Sequence, residues 1–177
     1  MTIESYPVGG VIRGSDDILY GTTRAGGTGI GCGGYGCGTI FRITPNGGLT
    51  TLYNFNLTTD GEFPSAPLAQ GTDGKFYGTT YAGGADNGGT VFSLSVGLGP
   101  FVETNPQTGK LGRTANILGT NLTGATSVTF HGTAAEFTVK SNTEITTTAP
   151  AGATTGTVRV VTPSGTLSSN VPFQVNP

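Results

Sequence analysis

The sequence predicts an all-β protein in which a region of repeated β units, residues 1–97, precedes an antiparallel β-sandwich, residues 98–177. The prediction rests on a segment that occurs twice and on short apolar stretches separated by turn residues along the whole chain. Glycine, at 32 of 177 residues, supplies the positive φ angles that tight turns need. Helical periodicity is not evident, so strands and turns account for the pattern.

The duplicated segment is the strongest signal in the chain. Residues 14–27, GSDDILYGTTRAGG, recur 57 positions later as residues 71–84, GTDGKFYGTTYAGG. Such a period is typical of stacks or rings of equivalent β units. The second copy lacks a counterpart of NGGLTTLYNFN, residues 46–56, so two copies predict no closed ring. The region is then a small pair of sheets, a self-associating unit, or a part of a longer array.

Turn residues divide each region into short strands. In the first region the strand candidates are residues 9–13, 17–23, 38–43, 49–55, 67–70, 75–80 and 89–96. In the second, apolar residues alternate with polar ones, which is typical of strands with one buried face. The candidates there are residues 101–104, 114–119, 126–130, 134–140, 143–148, 156–162 and 166–175. About seven strands at this spacing predict an antiparallel sandwich.

The charge pattern excludes several classes of partner. The net charge is −2 and neither half carries a basic stripe, so nucleic-acid binding lacks its electrostatic footprint. A run of about 18 apolar residues is missing, so we expect no membrane insertion. The first ten residues, MTIESYPVGG, do not resemble a signal peptide, and we expect a trimmed mature chain or a fragment of a longer protein.

The two cysteines, Cys32 and Cys37, lie in a loop that is six residues longer in the first copy than in the second. We expect a disulfide across this glycine-rich loop, which indicates an oxidising, extracytoplasmic setting. A metal site is a weaker alternative because structural zinc takes four ligands. Two buried free thiols are the remaining alternative.

Catalytic chemistry has few candidates. His131 is the sole histidine and lies in a predicted hairpin turn, so a nucleophilic triad is not expected. Most aspartates occupy turn contexts, where Asp is favoured for its local hydrogen bonds. A weak calcium candidate is formed by Asp16 and Asp17. We expect no enzyme activity and no cofactor.

Exposed aromatic residues leave carbohydrate binding open, since sugar faces stack on such rings. Tyr35 lies at the tip of the cysteine loop, and Tyr81 replaces Arg24 at the equivalent position of the second copy. These three residues are the candidate ligand-binding set, on one face of the repeat region. The absence of Trp and the common use of Tyr as a packing residue in β repeats argue against this interpretation.

Two resemblances refine the prediction. LYGTTRAGG, GTIFRITPNGG, LTTLYNF, FYGTTYAGG and GTVFSL, within about residues 7–96, resemble the GloVer-type tandem repeat of secreted bacterial proteins. This likeness implies a propeller-like β array without catalytic residues. Three features depart from this repeat. They are the cysteine loop, Asp17 at the position where the second copy has Gly74, and the truncation of the second copy.

The second resemblance covers residues 98–177. NPQTGKLG, ILGTNL, SVTFHG, TEITTTAPAG, TGTVRVVTPSG and the closing FQV follow the order of the IPT/TIG immunoglobulin-like domain. This likeness implies a structural or interaction module with an immunoglobulin-like β-sandwich.

Together these features predict a non-enzymatic extracellular or cell-surface module of a bacterial protein, acting in structure or adhesion. The alternative is a carbohydrate-binding accessory segment of a polysaccharide-active enzyme. A third hypothesis, self-assembly, follows from the incomplete repeat. The expected partners are a surface glycan, another protein or a second copy of the chain.

Overall fold

The computed structural model describes residues 4–177, and every regular element in that range is a β-strand. The all-β prediction is therefore confirmed. The chain divides into two compact units: the first comprises the residues up to Gly71 together with Lys75–Leu98, and the second comprises Thr72–Gly74 together with Gly99–Pro177. Within residues 4–177, no helix is long and apolar enough to span a membrane.

The first unit contains ten short strands that pair antiparallel. They are β1 (Glu4–Ser5), β2 (Ile12–Arg13), β3 (Leu19–Thr23), β4 (Ala25–Gly26), β5 (Thr39–Ile43), β6 (Leu49–Asn54), β7 (Glu62–Pro64), β8 (Ala69–Gln70), β9 (Phe76–Ala82) and β10 (Val91–Leu94). The first copy of the repeat forms a sheet in the order β2-β3-β5-β6, and β1 pairs with β4. In the second copy, β7, β8 and β10 all pair with β9.

Strand pairing repeats from one copy to the next. The pair Ile12–Tyr20 of the first copy returns as Ala69–Tyr77 in the second. The pair of β1 with β4 returns by the same offset as the pair of β7 with the end of β9. Because the loop of the second copy is six residues shorter, β5 corresponds to β10 with an offset that is six residues smaller. The strand β6 has no counterpart, so β10 is an edge strand that pairs with β9 alone among the described residues.

The two copies bury opposite faces of their sheets. We call the face that carries Tyr20 and Ile40 in the first copy face A, and the face that carries Leu68 and Phe76 in the second copy face B. All four side chains are at most 3% exposed and belong to one apolar cluster. The ring centroids of Tyr20 and Phe76 lie 4.1 Å apart. Face A of the first copy therefore packs against face B of the second.

The repeated glycine in LYGTT and FYGTT serves this sheet. A Cβ at Gly21 would lie 2.7 Å from the Phe41 ring, and one at Gly78 would collide with the ring of Phe92. Each glycine thus makes room for the phenylalanine of the neighbouring strand, which covers the backbone at that point.

The second unit contains the remaining ten strands. They are β11 (Glu103–Asn105), β12 (Thr108–Gly109), β13 (Thr114–Leu118), β14 (Ser127–Phe130), β15 (Thr133–Ala134), β16 (Phe137–Ser141), β17 (Glu144–Thr148), β18 (Val158–Thr162), β19 (Gly165–Ser168) and β20 (Gln174–Val175). They form the sheets β11-β13-β17-β16 and β15-β14-β18-β19, with a parallel pair β12-β20. Ile117 and Ile145 of one sheet share a buried cluster with Val128 and Val158 of the other.

Two predicted strands of this unit are wrong in extent. Residues 134–140 are divided between β15 and β16, and residues 166–175 are divided between β19 and β20. In the second case the interruption contains Pro172, which has no N–H to donate to a ladder. The short strands β1, β4, β7 and β12 were not predicted, because two or three residues show no periodicity.

The turn at His131 has the conformation that a two-residue hairpin favours. His131 and Gly132 have φ angles of 46° and 91°, and they connect β14 to β15. Positive φ at both central positions matches the right-handed twist of the flanking strands. The ring packs on Gly156, and its Nδ1 lies 2.8 Å from the Thr154 hydroxyl.

A buried phenol ties the turn before β3 to the core of the first unit. The Tyr20 hydroxyl donates a hydrogen bond of 2.9 Å to Asp16 Oδ2. Burial, followed by this bond, raises the pKa of Tyr20 from 10.0 to about 12. Because the pKa in the folded state lies above the unfolded value, the stabilisation is complete below pH 10 and is lost as the pH rises through 12.

We predict that Tyr20→Phe lowers the free energy of unfolding by about 1.5 kcal/mol, the contribution of a hydrogen bond to a charged group. Urea titrations at several pH values would measure this loss, which should shrink as the pH approaches 12. Tyr35→Phe, at a side chain that is 80% exposed, is the control and should have no effect. An equal loss in both variants would contradict the role of the Asp16 bond.

Candidate functional site

An open groove in the first unit is lined mainly by aromatic side chains. It has a volume of about 290 Å³ and is lined by Tyr6, Arg24, Ala25, Tyr35 and Phe63. Three of these residues are aromatic and one is cationic. The groove, called the aromatic groove below, lies near the lower end of the size range of small-ligand sites.

The walls of the groove come from the same position in successive copies. Phe63 follows Tyr6 by 57 residues, and the φ angles of the two residues are 59° and 56°. Bulky residues rarely adopt this left-handed conformation. Both copies therefore present an aromatic side chain from the same left-handed backbone conformation.

Hydrogen bonds fix both walls. The Tyr6 carbonyl accepts a bond of 2.9 Å from the Arg24 N–H. The Phe63 N–H donates a bond of 2.9 Å to the carbonyl of Cys37. The second bond ties the beginning of the second copy to the cysteine loop of the first, so the loop and the second wall are positioned together.

The cysteine loop holds Tyr35 at the rim of the groove. Cys32 and Cys37 form a disulfide bond that closes this loop. The Tyr35 N–H donates to the Cys32 carbonyl over 3.3 Å, and the Tyr35 carbonyl accepts a bond of 2.7 Å from Gly26. Gly36, at a φ of 72°, lies so close to Gly26 that a Cβ would collide with its carbonyl. The backbone of Tyr35 is thus fixed while its ring stays exposed.

Arg24 supplies the charge of the groove. Its guanidinium carbon lies 5.4 Å from the centroid of the Phe63 ring, within the range of a cation–π contact. The ion pair found within residues 4–177 joins Arg13 and Asp17, and it does not involve Arg24. The groove therefore offers a cation together with aromatic faces.

The structure brings together two of the three predicted ligand-binding residues. Arg24 and Tyr35 line the aromatic groove, whereas Tyr81 lies outside its lining. The register of β7 and β9 places Tyr81 at the level of Phe63, one copy further along the repeat. Tyr6 and Phe63 were missed, although the offset of 57 residues that relates the repeated segments also relates these two aromatic residues.

The disulfide has an acidic neighbour. The carboxylate of Glu62 lies 2.9 Å from Cys32 Sγ, and it forms with Cys32 and Cys37 the cluster of potential metal ligands within residues 4–177. Zinc binds cysteine as a thiolate. Because the disulfide consumes both sulfurs, the cluster offers a metal only the carboxylate in its oxidised form.

The predicted calcium candidates have protein partners. Asp16 accepts hydrogen bonds from the Tyr20 hydroxyl and from the N–H of Ile18. Asp17 has a φ of 66° and forms an ion pair of 2.9 Å with Arg13. Both carboxylates thus serve the turn before β3, and the calcium site stays a prediction.

A second cavity of about 230 Å³ lies between β6 and β10, where Tyr53, Phe55 and Phe92 contribute rings. The Tyr53 hydroxyl donates a bond of 2.7 Å to Asp60 Oδ2. This bond, together with burial, raises the pKa of Tyr53 to about 12. The phenol therefore keeps its proton at neutral pH and acts as a hydrogen-bond donor rather than as a base.

Comparison with known proteins gives a family match. The model of a family described as the Gloeobacter/Verrucomicrobia repeat matches residues 2–174. The match extends beyond the predicted repeat region into the second unit. No curated protein matches the chain.

Two solved structures are similar over 98% of this chain. One is SGBP-B from a complex xyloglucan utilization locus in Bacteroides uniformis, at 15% identity and a TM-score of 0.37. The other is a crystal structure with xylogluco-oligosaccharide, at 17% identity and a TM-score of 0.38. The chain spans 48% and 39% of their lengths. At these TM-scores neither likeness carries an argument about function.

We predict that replacing both Cys32 and Cys37 by Ala lowers the free energy of unfolding by about 2 kcal/mol, the chain-entropy value for so short a loop. Amide hydrogen exchange in residues 29–38 should also become faster, since the loop loses its closure. A reducing agent should destabilise the native protein and leave the variant unchanged. If the free energy of unfolding of the native protein did not change after reduction of the disulfide, this prediction would be contradicted.

Proposed function

This chain belongs to the Gloeobacter/Verrucomicrobia repeat family, and we propose that it is a non-enzymatic, extracytoplasmic module that binds a glycan through the aromatic groove. The observation that supports the proposal most directly is the exposure of the rings at the groove. Tyr35 is 80% exposed and Tyr6 is 71% exposed. Rings that are fixed by their backbone and open to solvent suit the stacking of sugar faces.

Preorganisation strengthens this proposal. The disulfide and the hydrogen bonds of Tyr6, Tyr35 and Phe63 hold the backbone in the conformation that presents the rings. A ligand then immobilises side chains only, which reduces the entropic cost of binding. A shallow open groove also fits a polymer, because its neighbouring sugar units can extend beyond the rim.

Arg24 gives the groove a preference for acidic sugars. It is the charged residue of the lining, and its guanidinium lies beside the Phe63 ring. A guanidinium binds a carboxylate or sulfate with two parallel hydrogen bonds. We therefore expect glycans that contain uronic acid or sulfate to bind more tightly than neutral glycans.

The absence of enzyme activity belongs to the same proposal. The groove is lined by rings, a guanidinium and an alanine, and this set supplies no nucleophile with an adjacent base. His131 bonds to the hydroxyl of Thr154 rather than to a carboxylate. Hydrolysis of a bound polysaccharide by the purified protein would contradict this part of the proposal.

We also infer that the first unit is propeller-like and that the second unit is an immunoglobulin-like β-sandwich. The packing of face A on face B supports a propeller-like relation between the copies, and the two sheets of the second unit around one core support an immunoglobulin-like sandwich. The disulfide supports an oxidising compartment outside the cytoplasm. Glycan binding there would serve attachment at the cell surface.

We predict that Tyr35→Ala weakens glycan binding about tenfold, a loss comparable to one aromatic stacking contact. Affinity electrophoresis in gels that contain polygalacturonate or xyloglucan would measure the change. Ile30→Ala is the matched control, because Ile30 lies in the same loop and is 77% exposed. Tyr81→Ala should have the smaller effect, since Tyr81 is outside the lining.

Two outcomes of this test would reject glycan binding at the groove. One is the absence of retardation by both polysaccharides and by further neutral and acidic glycans. The other is retardation that Tyr35→Ala does not change.

A separate prediction concerns the charge. Arg24→Gln should weaken binding of polygalacturonate by about tenfold and leave xyloglucan binding unchanged, because a charge-assisted hydrogen bond is lost from the acidic ligand alone. Binding of polygalacturonate to the native protein should also weaken with added salt. Equal effects of Arg24→Gln on both polysaccharides would leave the groove in place but reject the acidic preference.

A further inference from the structure

Equivalent positions of the two copies differ sharply in exposure. On face A, Ile40 is 1% exposed in the first copy, and Val91, its counterpart in the second, is 81% exposed. Tyr20 is 1% exposed and its counterpart Tyr77 is 38% exposed. In the first copy, face A is covered by the sheet of the second copy. In the second copy, the same face is exposed at Val91.

Face B shows the reverse difference. Leu68 and Phe76 are 3% and 0% exposed in the second copy. Their counterparts in the first copy, Val11 and Leu19, are 49% and 38% exposed. The molecule therefore presents one uncovered face A, on the second copy, and one uncovered face B, on the first.

The paired residues of the uncovered face A are uncharged, whereas the uncovered face B carries Arg13. Register places Ala69, Thr79 and Ser93 on the same face as Tyr77 and Val91. Around Val11 and Leu19, face B carries Gly21, Ile43 and the buried ring of Phe41, together with Arg13, which is opposite Leu19 and forms an ion pair with Asp17. A depletion of charged residues, as on face A, is the compositional signal of the centre of a protein interface.

We propose that two molecules of this chain dock head to tail. Face A of the second repeat in one chain packs on face B of the first repeat in the neighbouring chain. The contact would repeat between chains the packing that joins Tyr20 to Phe76 within one chain. Because two different surfaces meet, the interface is heterologous. It generates a ring where the rotation closes and an open filament where it does not.

Docking would also build a second groove between chains. In the aromatic groove, Tyr6 and Arg24 of the first copy face Phe63 of the second. One copy further along, Phe63 takes the place of Tyr6, and Tyr81 takes the place of Arg24. Tyr6 of the neighbouring chain would then supply the opposite wall. This composite groove has no arginine, so a neutral sugar ring suits it better than an acidic one.

The test uses two variants of the 177-residue chain, each of which disables one face. Val91→Asp places a carboxylate on face A, and Leu19→Asp places one on face B. Both side chains are exposed in the isolated chain, so circular dichroism and urea unfolding should show folded proteins. Val161→Asp is the matched control, at a second-unit side chain that is 39% exposed. Light scattering after size exclusion, over a concentration series, reports the mass.

The head-to-tail contact makes a specific prediction for these proteins. The native chain and the Val161→Asp control should show a mass that rises with concentration to multiples of one chain, or a closed ring. Each face variant alone should show the mass of one chain. An equimolar mixture of the two should form a dimer and nothing larger, because one intact face A meets one intact face B and both outer faces are disabled.

Three results would overturn the proposal. A native chain that stays monomeric at every concentration removes the contact. Self-association of Leu19→Asp alone would indicate that two faces A meet symmetrically, and self-association of Val91→Asp alone would indicate the same for faces B. Should one variant fail to fold, Tyr77→Asp and Val11→Asp address the same two faces. The outcome does not depend on glycan binding, since no sugar is present.

Discussion

The packing of face A on face B is the interaction on which the first unit depends. The sheets of the two copies are small, and isolated sheets of a few strands need a covered apolar face to be stable. The contact between the tilted rings of Tyr20 and Phe76 contributes to that cover, and the Asp16 hydrogen bond holds the phenol in place. The same packing brings Phe63 beside the loop of the first copy, so the aromatic groove is a consequence of how the copies stack.

The cysteine loop, which is longer than its counterpart in the second copy, places Tyr35 at the rim of the aromatic groove. Its backbone approaches Gly26 so closely at Gly36 that only glycine fits, and the disulfide closes it. The shorter loop of the second copy, residues 84–89, has neither the cysteines nor an equivalent of Tyr35. The disulfide and Tyr35 at the rim of the groove are therefore features of the first copy alone.

The sequence alone predicted the strands that carry the repeat, because alternation and turn residues mark β3, β5, β6, β9 and β10 clearly. It did not predict the left-handed backbone at Tyr6 and Phe63, since no local rule assigns a positive φ to an aromatic residue. It also grouped Tyr81 with Arg24 and Tyr35. Because position 81 is position 24 of the next copy, Tyr81 lies one copy further along the repeat than Arg24 and outside the lining of the aromatic groove.

The second copy also differs from the first in its strands, because β6 has no counterpart there. In the first copy β6 covers the edge of β5, whereas β10 presents its edge beside the cavity between β6 and β10. An uncovered edge strand invites pairing with another chain. Here the edge is short, and Val91 lies at its beginning. Face-to-face stacking, which already has a template within the molecule, therefore offers more contact surface than pairing along this edge.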